Sequence, residues 1–280
     1  MTRPMISVLI CAKNEEKRIR ACIESVIKEN PNEIILVDGD STDSTVEIAK
    51  SYGVKVIESK NSNLTRDRQI GIDSCTNELV AMIDSDHRLK SGDLLGLLKD
   101  LNDYGFDIVQ AGIDIESIGF FCRGEKQYID LILNQAGEKK MIGVAPCLYR
   151  KKVFDNIRFE DNITTTIDDT DFIYRLSKEG IYKIGTGHTS ITSLHEPGIT
   201  NYYKKFKWYG KGDGEFCIKH PERALSMIFH LIIRYPLLYS IKAAFAGKIL
   251  AIPYVIFQGF TRLFFLFVRL IELKFGIGLK

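Results

Sequence analysis

No CxxC pair and no other metal-type spacing links the six cysteines (Cys11, Cys22, Cys75, Cys122, Cys147 and Cys217). A disulfide scaffold and a structural zinc site are therefore excluded, and the mostly apolar surroundings predict reduced core thiols. No G-x-G-x-x-G follows the first apolar run, so a dinucleotide-dependent oxidoreductase is out. Glycine is missing altogether from Cys11–Glu16, where a nucleotidyltransferase would carry a glycine-rich, basic loop for a triphosphate. No internal repeat or low-complexity linker interrupts the chain. No secretory leader is expected either: the run Met5–Ala12 is short and is followed at once by Lys13-Asn14-Glu15-Glu16. The chain is expected to begin in the cytosol.

What is present is an ordinary globular composition, 280 residues with 45% hydrophobic and 26% charged, a length near two domains. The net charge of +2 conceals a split. From Tyr202 to Lys280 there are 13 Lys and Arg against 4 Asp and Glu, a net of +9; the remainder carries 25 against 32, a net of −7. A basic tail of this kind meets an anionic partner, membrane or nucleic acid.

The first hundred residues alternate between two periods. Short apolar runs at Ile6–Cys11, Glu33–Val37, Val54–Glu58 and Leu79–Ile83 predict strands. Between and after them lie helical patterns: Ile19, Cys22, Ile23, Val26 and Ile27 on one face, a helix capped at Asp43 or Ser44 and ended by Gly53, then Leu64–Cys75 and Asp93–Leu101. Alternation of this kind specifies an α/β domain with a mostly parallel, Rossmann-like sheet and helices on both faces. Ligands of such sheets bind at the carboxyl ends of strands, here after Cys11, Val37 and Ile83. Further on, Ile108–Ile115, Tyr182–Gly185 and Ser190–Leu194 predict strands, and Glu125–Gln135 and Asp169–Lys178 helices.

Asp84-Ser85-Asp86 follows the fourth strand. Strand alternation sends both carboxylates to one side and Ser85 to the other, a donor set for Mg²⁺ or Mn²⁺ held together with substrate phosphates. Three further elements precede it in order: Ser7-Val8-Leu9-Ile10 leading to Asn14-Glu15-Glu16, then Val37-Asp38-Gly39-Asp40-Ser41-Thr42-Asp43-Ser44-Thr45, then Arg68-Gln69-Ile70-Gly71. Together they resemble the nucleotide-sugar half of a family 2 glycosyltransferase of the GT-A fold. The resemblance implies donor contacts from Cys11, Ala12, Glu15, Asp38, Arg68, Asp84 and Ser85, with Asp38 reading the nucleobase, Arg68 holding the nucleotide, Asp84 near the ribose and Asp86 on the metal. Gln69 stands where the family usually has Asn, and His87 where another acid is common. Asp38-Gly39-Asp40 also mimics the start of a calcium loop, but its sixth position is Asp43 and its twelfth Ala49, against Gly and Glu in that motif.

In the second half, Thr166-Ile167-Asp168-Asp169-Thr170-Asp171-Phe172 opens a helix. Acids in a first turn favour the macrodipole by about 0.3–1 kcal/mol each; three in four residues exceed what a cap needs. This stretch resembles the family's E-D motif, which implies Asp169 as the general base, with Asp168 and Asp171 on the acceptor side. His195 ends a strand and is either a hydrogen-bonded structural residue or a further metal ligand. Lys204, Lys207 and Trp208 occupy the place of the Q-x-x-R-W element of processive relatives. Only the Trp is retained, which argues against a processive synthase and leaves the lysines to a diphosphate or to solvent.

From Met227 to Leu273 the chain is largely apolar, uncharged over Ile249–Thr261, with Pro236 and Pro253 expected to kink a spanning helix. Phe257, Phe260, Phe264 and Phe267 share a helical face near Arg262 and Arg269. Amphipathic helices at a membrane interface fit this pattern; a core-packing helical hairpin is the alternative. The expected organisation is a catalytic domain over 1–222, divided into donor (1–104) and acceptor (105–222) halves, and a basic, apolar helical tail over 223–280. The expected activity is metal-dependent inverting transfer from a nucleotide diphosphate sugar to a hydroxyl acceptor, a glycan that is lipid-linked or membrane-proximal, at the cytoplasmic membrane face and without nucleic acid. Alternatives are a nucleotidyltransferase and a non-catalytic nucleotide-fold scaffold bound to membrane.

Overall fold

Seven residues, Ile6–Ala12, form β1, and six of them are buried; a strand covered on both faces reads as one apolar run. Ile6, Val8 and Ile10 enter a core with Ile19 and Ile23 of α1 (Ile19–Lys28) and Leu94 and Leu97 of α4 (Asp93–Asp103). Leu9, pointing the other way, joins Ile72 of α3 (Leu64–Ser74) and Phe172 and Leu176 of α7 (Ile167–Glu179). Alternate residues of one strand thus build the cores on both sides of the sheet. The structure, a computed structural model, describes residues 5–115, 119–160 and 167–276. Thr166 of the acidic motif and residues 277–280 of the expected tail lie outside them.

The remaining strands are β2 (Glu33–Asp38), β3 (Lys55–Glu58), β4 (Leu79–Met82), β5 (His87–Arg88), β6 (Ile108–Ile115), β7 (Gly137–Glu138), β8 (Cys147–Arg150) and β9 (Ile184–Ser193). The sheet order is β3-β2-β1-β4-β8-β6-β9-β5, with β7 beside β9. β3, β2, β1 and β4 are parallel, whereas β8 runs antiparallel to both β4 and β6. The α/β class holds, but the sheet is mixed, and its parallel part is the first four strands. Because β2 and β3 lie on one side of β1 and β4 on the other, the order reverses between β1 and β4. A crevice opens at the carboxyl ends of strands at such a point.

Several expected elements differ in detail. Tyr182–Gly185 and Ser190–Leu194 are not two strands; one strand, β9, runs through Thr186–Thr189. The expected helix Glu125–Gln135 starts earlier, as α5 (Phe120–Tyr128), and continues as a π-helical stretch, Ile129–Leu133. β4 stops at Met82, so strand alternation does not place Asp84 and Asp86. A turn does, closed by the His87 amide donating to the Asp84 carbonyl at 3.0 Å. Of the predicted caps, Asp43 serves α2 (Thr45–Ser51), accepting from the Thr45 amide at 3.0 Å, while Ser44 makes no side-chain cap bond. Asn30, at φ 53°, takes the left-handed turn after α1 that precedes Pro31. The short α6 (Val153–Asn156) completes the first compact unit, Met1–Asp114, Asn134–Thr164 and Asp168–Leu194.

The second unit, Ile115–Leu133, Thr165–Ile167 and His195–Lys280, is helical. It contains α5, α8 (Ile199–Lys219), α9 (Ala224–Phe229), α10 (Ser240–Phe245) and α11 (Ala251–Phe275), with a π-helical stretch His230–Tyr239 between α9 and α10. Pro253 is the third residue of α11, in the first turn, where its missing N–H costs nothing. Pro236 sits inside the π-helical stretch, where the altered bonding absorbs it. α11 packs against α8 and α5. Gly210 permits the approach to α8, since a Cβ there would lie 2.5 Å from the Arg262 carbonyl oxygen. By compactness, Pro221–Phe275 groups with His195–Lys219 and Ile115–Leu133.

Candidate active site

The loops after β1 and β2 are joined by side chain-to-backbone bonds. The Asn14, Glu15 and Glu16 amides donate to Ser41 Oγ (2.8 Å), Thr45 Oγ1 (2.8 Å) and Asp43 Oδ2 (3.1 Å). The Thr42 amide returns a bond to Asn14 Oδ1 at 2.8 Å. These short polar residues satisfy the backbone while it makes the left-handed turns at Asn14 and Asp40 (φ 56° and 69°). Ser41, Thr42 and Asp43 all serve this network.

Asp38 ends β2 beside Ala12 of β1 and is 3% exposed. One carboxylate oxygen accepts from the Ser41 amide at 3.0 Å. The other, Oδ1, is buried without a hydrogen-bond partner. Leaving such an acceptor unsatisfied costs about 1–3 kcal/mol. Asp38 lines a cavity of about 200 Å³ together with Ser41, Lys50, Glu58 and Ser59, among others. Cys11 lies half-buried at the end of β1, its thiol pKa raised by burial, and Ala12 is buried.

Arg68, 7% exposed on α3, forms an ion pair with Asp168 and lies 4.0 Å from Asp84. Burial opposes its charge, but Asp168 and then Asp84 outweigh burial and raise its pKa. Removing one partner of such a pair typically costs about 3–5 kcal/mol. Asp169, next along α7, has its pKa raised by burial first and by Asp168 second, with Arg68 partly offsetting both. Asp171 is fully buried and bonded to Arg175 Nε at 2.8 Å, so its carboxylate serves an ion pair within α7.

Asp84, Asp86 and His87 each bring a potential ligand atom within 4.8 Å of the others, the one such grouping of three among the described residues. The carboxylates supply hard oxygen donors suited to Mg²⁺ or Mn²⁺. His87 acts differently. Its Nδ1 accepts from the Asp84 amide at 3.0 Å, which puts the neutral ring's proton on Nε2, 3.8 Å from Asp86 Oδ1. The ring therefore braces the turn at Asp84 and lies beside Asp86. Asp86 is also held by Ser193 Oγ, donating to Oδ2 at 3.0 Å, and by the Leu194 amide on its carbonyl. Ser85 is buried and hydrogen-bonds Glu15, whose pKa burial raises.

The other expected residues are in the helical unit. His195 is held through Nδ1 by Glu125 at 2.6 Å. Glu125, 3% exposed, also receives Lys205 (2.9 Å), Tyr202 (2.7 Å) and Tyr254 (3.1 Å). Despite burial, Lys205 and then His195 hold its pKa low. Lys204, Lys207 and Trp208 are exposed on α8, with Lys207 Nζ 5.4 Å above the Phe265 ring. The motif reading passed over Glu125, Lys205 and the supporting role of His87. Nothing in the sequence connects Glu125 to His195, 70 positions away.

The family model described as glycosyl transferase family 2 matches residues 7–158, more than half of the chain. The chain belongs to glycosyl transferase family 2. An uncharacterized glycosyltransferase of Rickettsia typhi is 33% identical over 174 residues, covering 59% of this chain and 52% of that protein. The glycosyltransferase GlyA of Streptococcus pneumoniae is 25% identical over 185 residues, 64% of this chain and 24% of GlyA. The chain thus spans about half the length of the first relative and a quarter of the second. Among solved structures, the Pyrobaculum calidifontis mannosyltransferase PcManGT with GDP-Man and Mn²⁺ matches at TM-score 0.69 and 13% identity, over 99% of this chain and 88% of that one. Staphylococcus aureus TarS 1–349 with UDP-GlcNAc matches at 0.56 and 15%, over 99% and 93%. At such identities the likeness concerns the fold, and it supports the GT-A class for this family 2 chain.

Proposed function

We propose that this chain is an inverting glycosyltransferase that uses a nucleoside diphosphate sugar. One observation carries the reading: Arg68 pairs with Asp168 of α7 while lying 4.0 Å from Asp84 of the D-x-D turn, linking the residues assigned to the donor with those assigned to the acceptor. Asp38 Oδ1 accepts an N–H from the base, which removes its burial penalty. Arg68 contributes positive charge beside the donor, and Asp168 keeps that guanidinium in place. As the acceptor oxygen bonds to the anomeric carbon, the bond to the diphosphate breaks and Asp169 takes the hydroxyl proton. Asp84 and Asp86 would hold Mn²⁺ or Mg²⁺, which when bound supplies charge to stabilise the diphosphate leaving group. GDP-Man and UDP-GlcNAc in the solved relatives support a donor of this class.

The helical unit supports a membrane-proximal acceptor, on a glycan or a lipid carrier, at the cytoplasmic face. Pro221–Phe245 and Ala251–Phe275 are each 25 residues long and apolar enough to cross a bilayer. Ala251–Phe275 turns its arginines inward. Arg262 forks onto Asp213 (2.7 and 2.8 Å) and Arg269 onto Glu215, while Phe260, Phe264, Phe267 and Ile271 stay exposed. Charges paired inside with apolar side chains outside suit a lipid environment.

A screen of nucleoside diphosphates by thermal shift, with and without Mn²⁺, tests the donor assignment. Selective, metal-dependent stabilisation is expected; its absence for every nucleotide would favour a non-catalytic scaffold.

A further inference from the structure

We propose that Gln69, where family 2 usually has Asn, is a positioning residue for Asp169; this rests on reading Asp169 as the base. Gln69 is 6% exposed on α3. Its Oε1 accepts from the Phe159 amide at 2.9 Å, and its Nε2 donates to Asp73 at 3.0 Å. Asp73 in turn pairs with Arg158 at 2.6 Å. Neighbouring residues of α3 therefore hold both sides of the connection into α7: Gln69 takes Phe159 before it, and Arg68 takes Asp168 after it.

The far side of the same segment is fixed by α7 itself. The Phe159 ring stacks on Phe172 at 4.3 Å and 12°, and the Arg68 guanidinium lies 5.9 Å over it. Arg175 bonds the Arg158 carbonyl at 2.9 Å and Glu160 at 3.3 Å while holding Asp171. Phe159 is thus gripped by the helix that carries Arg68 and by the helix that carries Asp169. Only Gln69 connects α3 to it through a directed backbone bond among the contacts described. Loss of that bond lets the first turn of α7 shift against Arg68, and a shift of about 1 Å at a reacting group can cost roughly 100-fold in rate.

Gln69→Leu removes the acceptor and the donor at similar volume, whereas Gln69→Glu combined with Asp73→Asn keeps an acceptor facing the Phe159 amide and reverses the bond between positions 69 and 73 without adding charge. Hydrogen exchange on the full chain needs no substrate. In Gln69→Leu, exchange is expected to rise about tenfold or more at 157–160 and in the first turn of α7, and to stay near wild type in α1 and α4. In the Gln69→Glu, Asp73→Asn double variant it should remain close to wild type at all four places. Unchanged exchange in the Leu variant, or equal loosening in both variants, overturns the proposal. Turnover is then read as UDP released from UDP-GlcNAc and GDP from GDP-Man in the presence of Mn²⁺. The Leu variant should lose kcat roughly 10- to 100-fold with donor KM unchanged, and wild-type exchange in α1 and α4 of the same sample shows that the loss does not come from unfolded enzyme. If Asp169→Asn keeps full turnover, the base assignment has failed. If Asp169→Asn loses turnover while Gln69→Leu keeps its kcat, only the positioning role has failed.

Discussion

Asp86 and Asp169 separate two kinds of acidic residue. Asp86 is half-buried in a turn beside His87 and is supported by Ser193 and the Leu194 amide. Asp86→Ala should abolish the Mn²⁺-dependent part of nucleotide binding while the melting curve stays near wild type; calorimetric titration with UDP and GDP checks it. Asp169→Asn should leave nucleotide affinity unchanged and lower transfer by roughly 10²–10⁴-fold, the usual contribution of a general base. The pH dependence follows from the direction of its shift. A base must be deprotonated, and burial together with Asp168 raises the pKa of Asp169. As pH falls, its carboxyl therefore protonates sooner than an ordinary Asp near ~3.9. The acid limb of kcat should lie well above that value in the wild type, and an acid limb at the ordinary Asp value would exclude Asp169 as the base.

At the scale of elements, α8 and α11 show how a helix pair can look unpromising in sequence and still pack tightly. Gly210 and Gly214 lower intrinsic helicity by about 1 kcal/mol each, yet their missing side chains admit the α11 backbone, whose Leu266 carbonyl would sit 2.9 Å from a Cβ at Gly214. The pairing of Arg262 with Asp213 is largely enclosed at this contact, with side chains 16% and 7% exposed. Asp213→Ala should destabilise the protein by about 3–5 kcal/mol because it strands a buried charge. Pairing Asp213→Leu with Arg262→Met should recover most of that loss, since both charges then go. Thermal and denaturant melts of the two variants decide; equal losses would show that the pair's worth is geometric and not the penalty of an unpaired charge.

For the molecule as a whole, the question is what meets the outward apolar faces of the helical unit. Phe245 is 90% exposed and Leu225 83%, which is costly in water at about 25 cal/mol per Å² of apolar surface. Basic residues of the +9 region can add about 1 kcal/mol each at an anionic surface. The full chain should float with anionic liposomes, less with neutral ones, and release partly at high salt. A chain that stays monomeric without detergent and ignores both liposome types would return these helices to the water-soluble core alternative.

Local chemistry was legible in the residues alone. The strand-helix alternation, the turn after β2, the D-x-D turn and the acidic start of α7 are contiguous patterns, so period, capping and charge spacing suffice to read them. Even there, Asp84 and Asp86 converge as expected but through a turn and not through strand alternation, because a strand's end depends on where its partners stop: β4 pairs only through Met82. Insertion of β8 between β4 and β6 was hidden for the same reason, a four-residue strand defined by its neighbours. Tertiary structure alone decided which charges meet: Arg68 with Asp168 across 100 positions, Glu125 with His195 across 70. It also decided which side of α11 is buried, since a helix apolar around most of its circumference carries little internal record of the face its partners will cover.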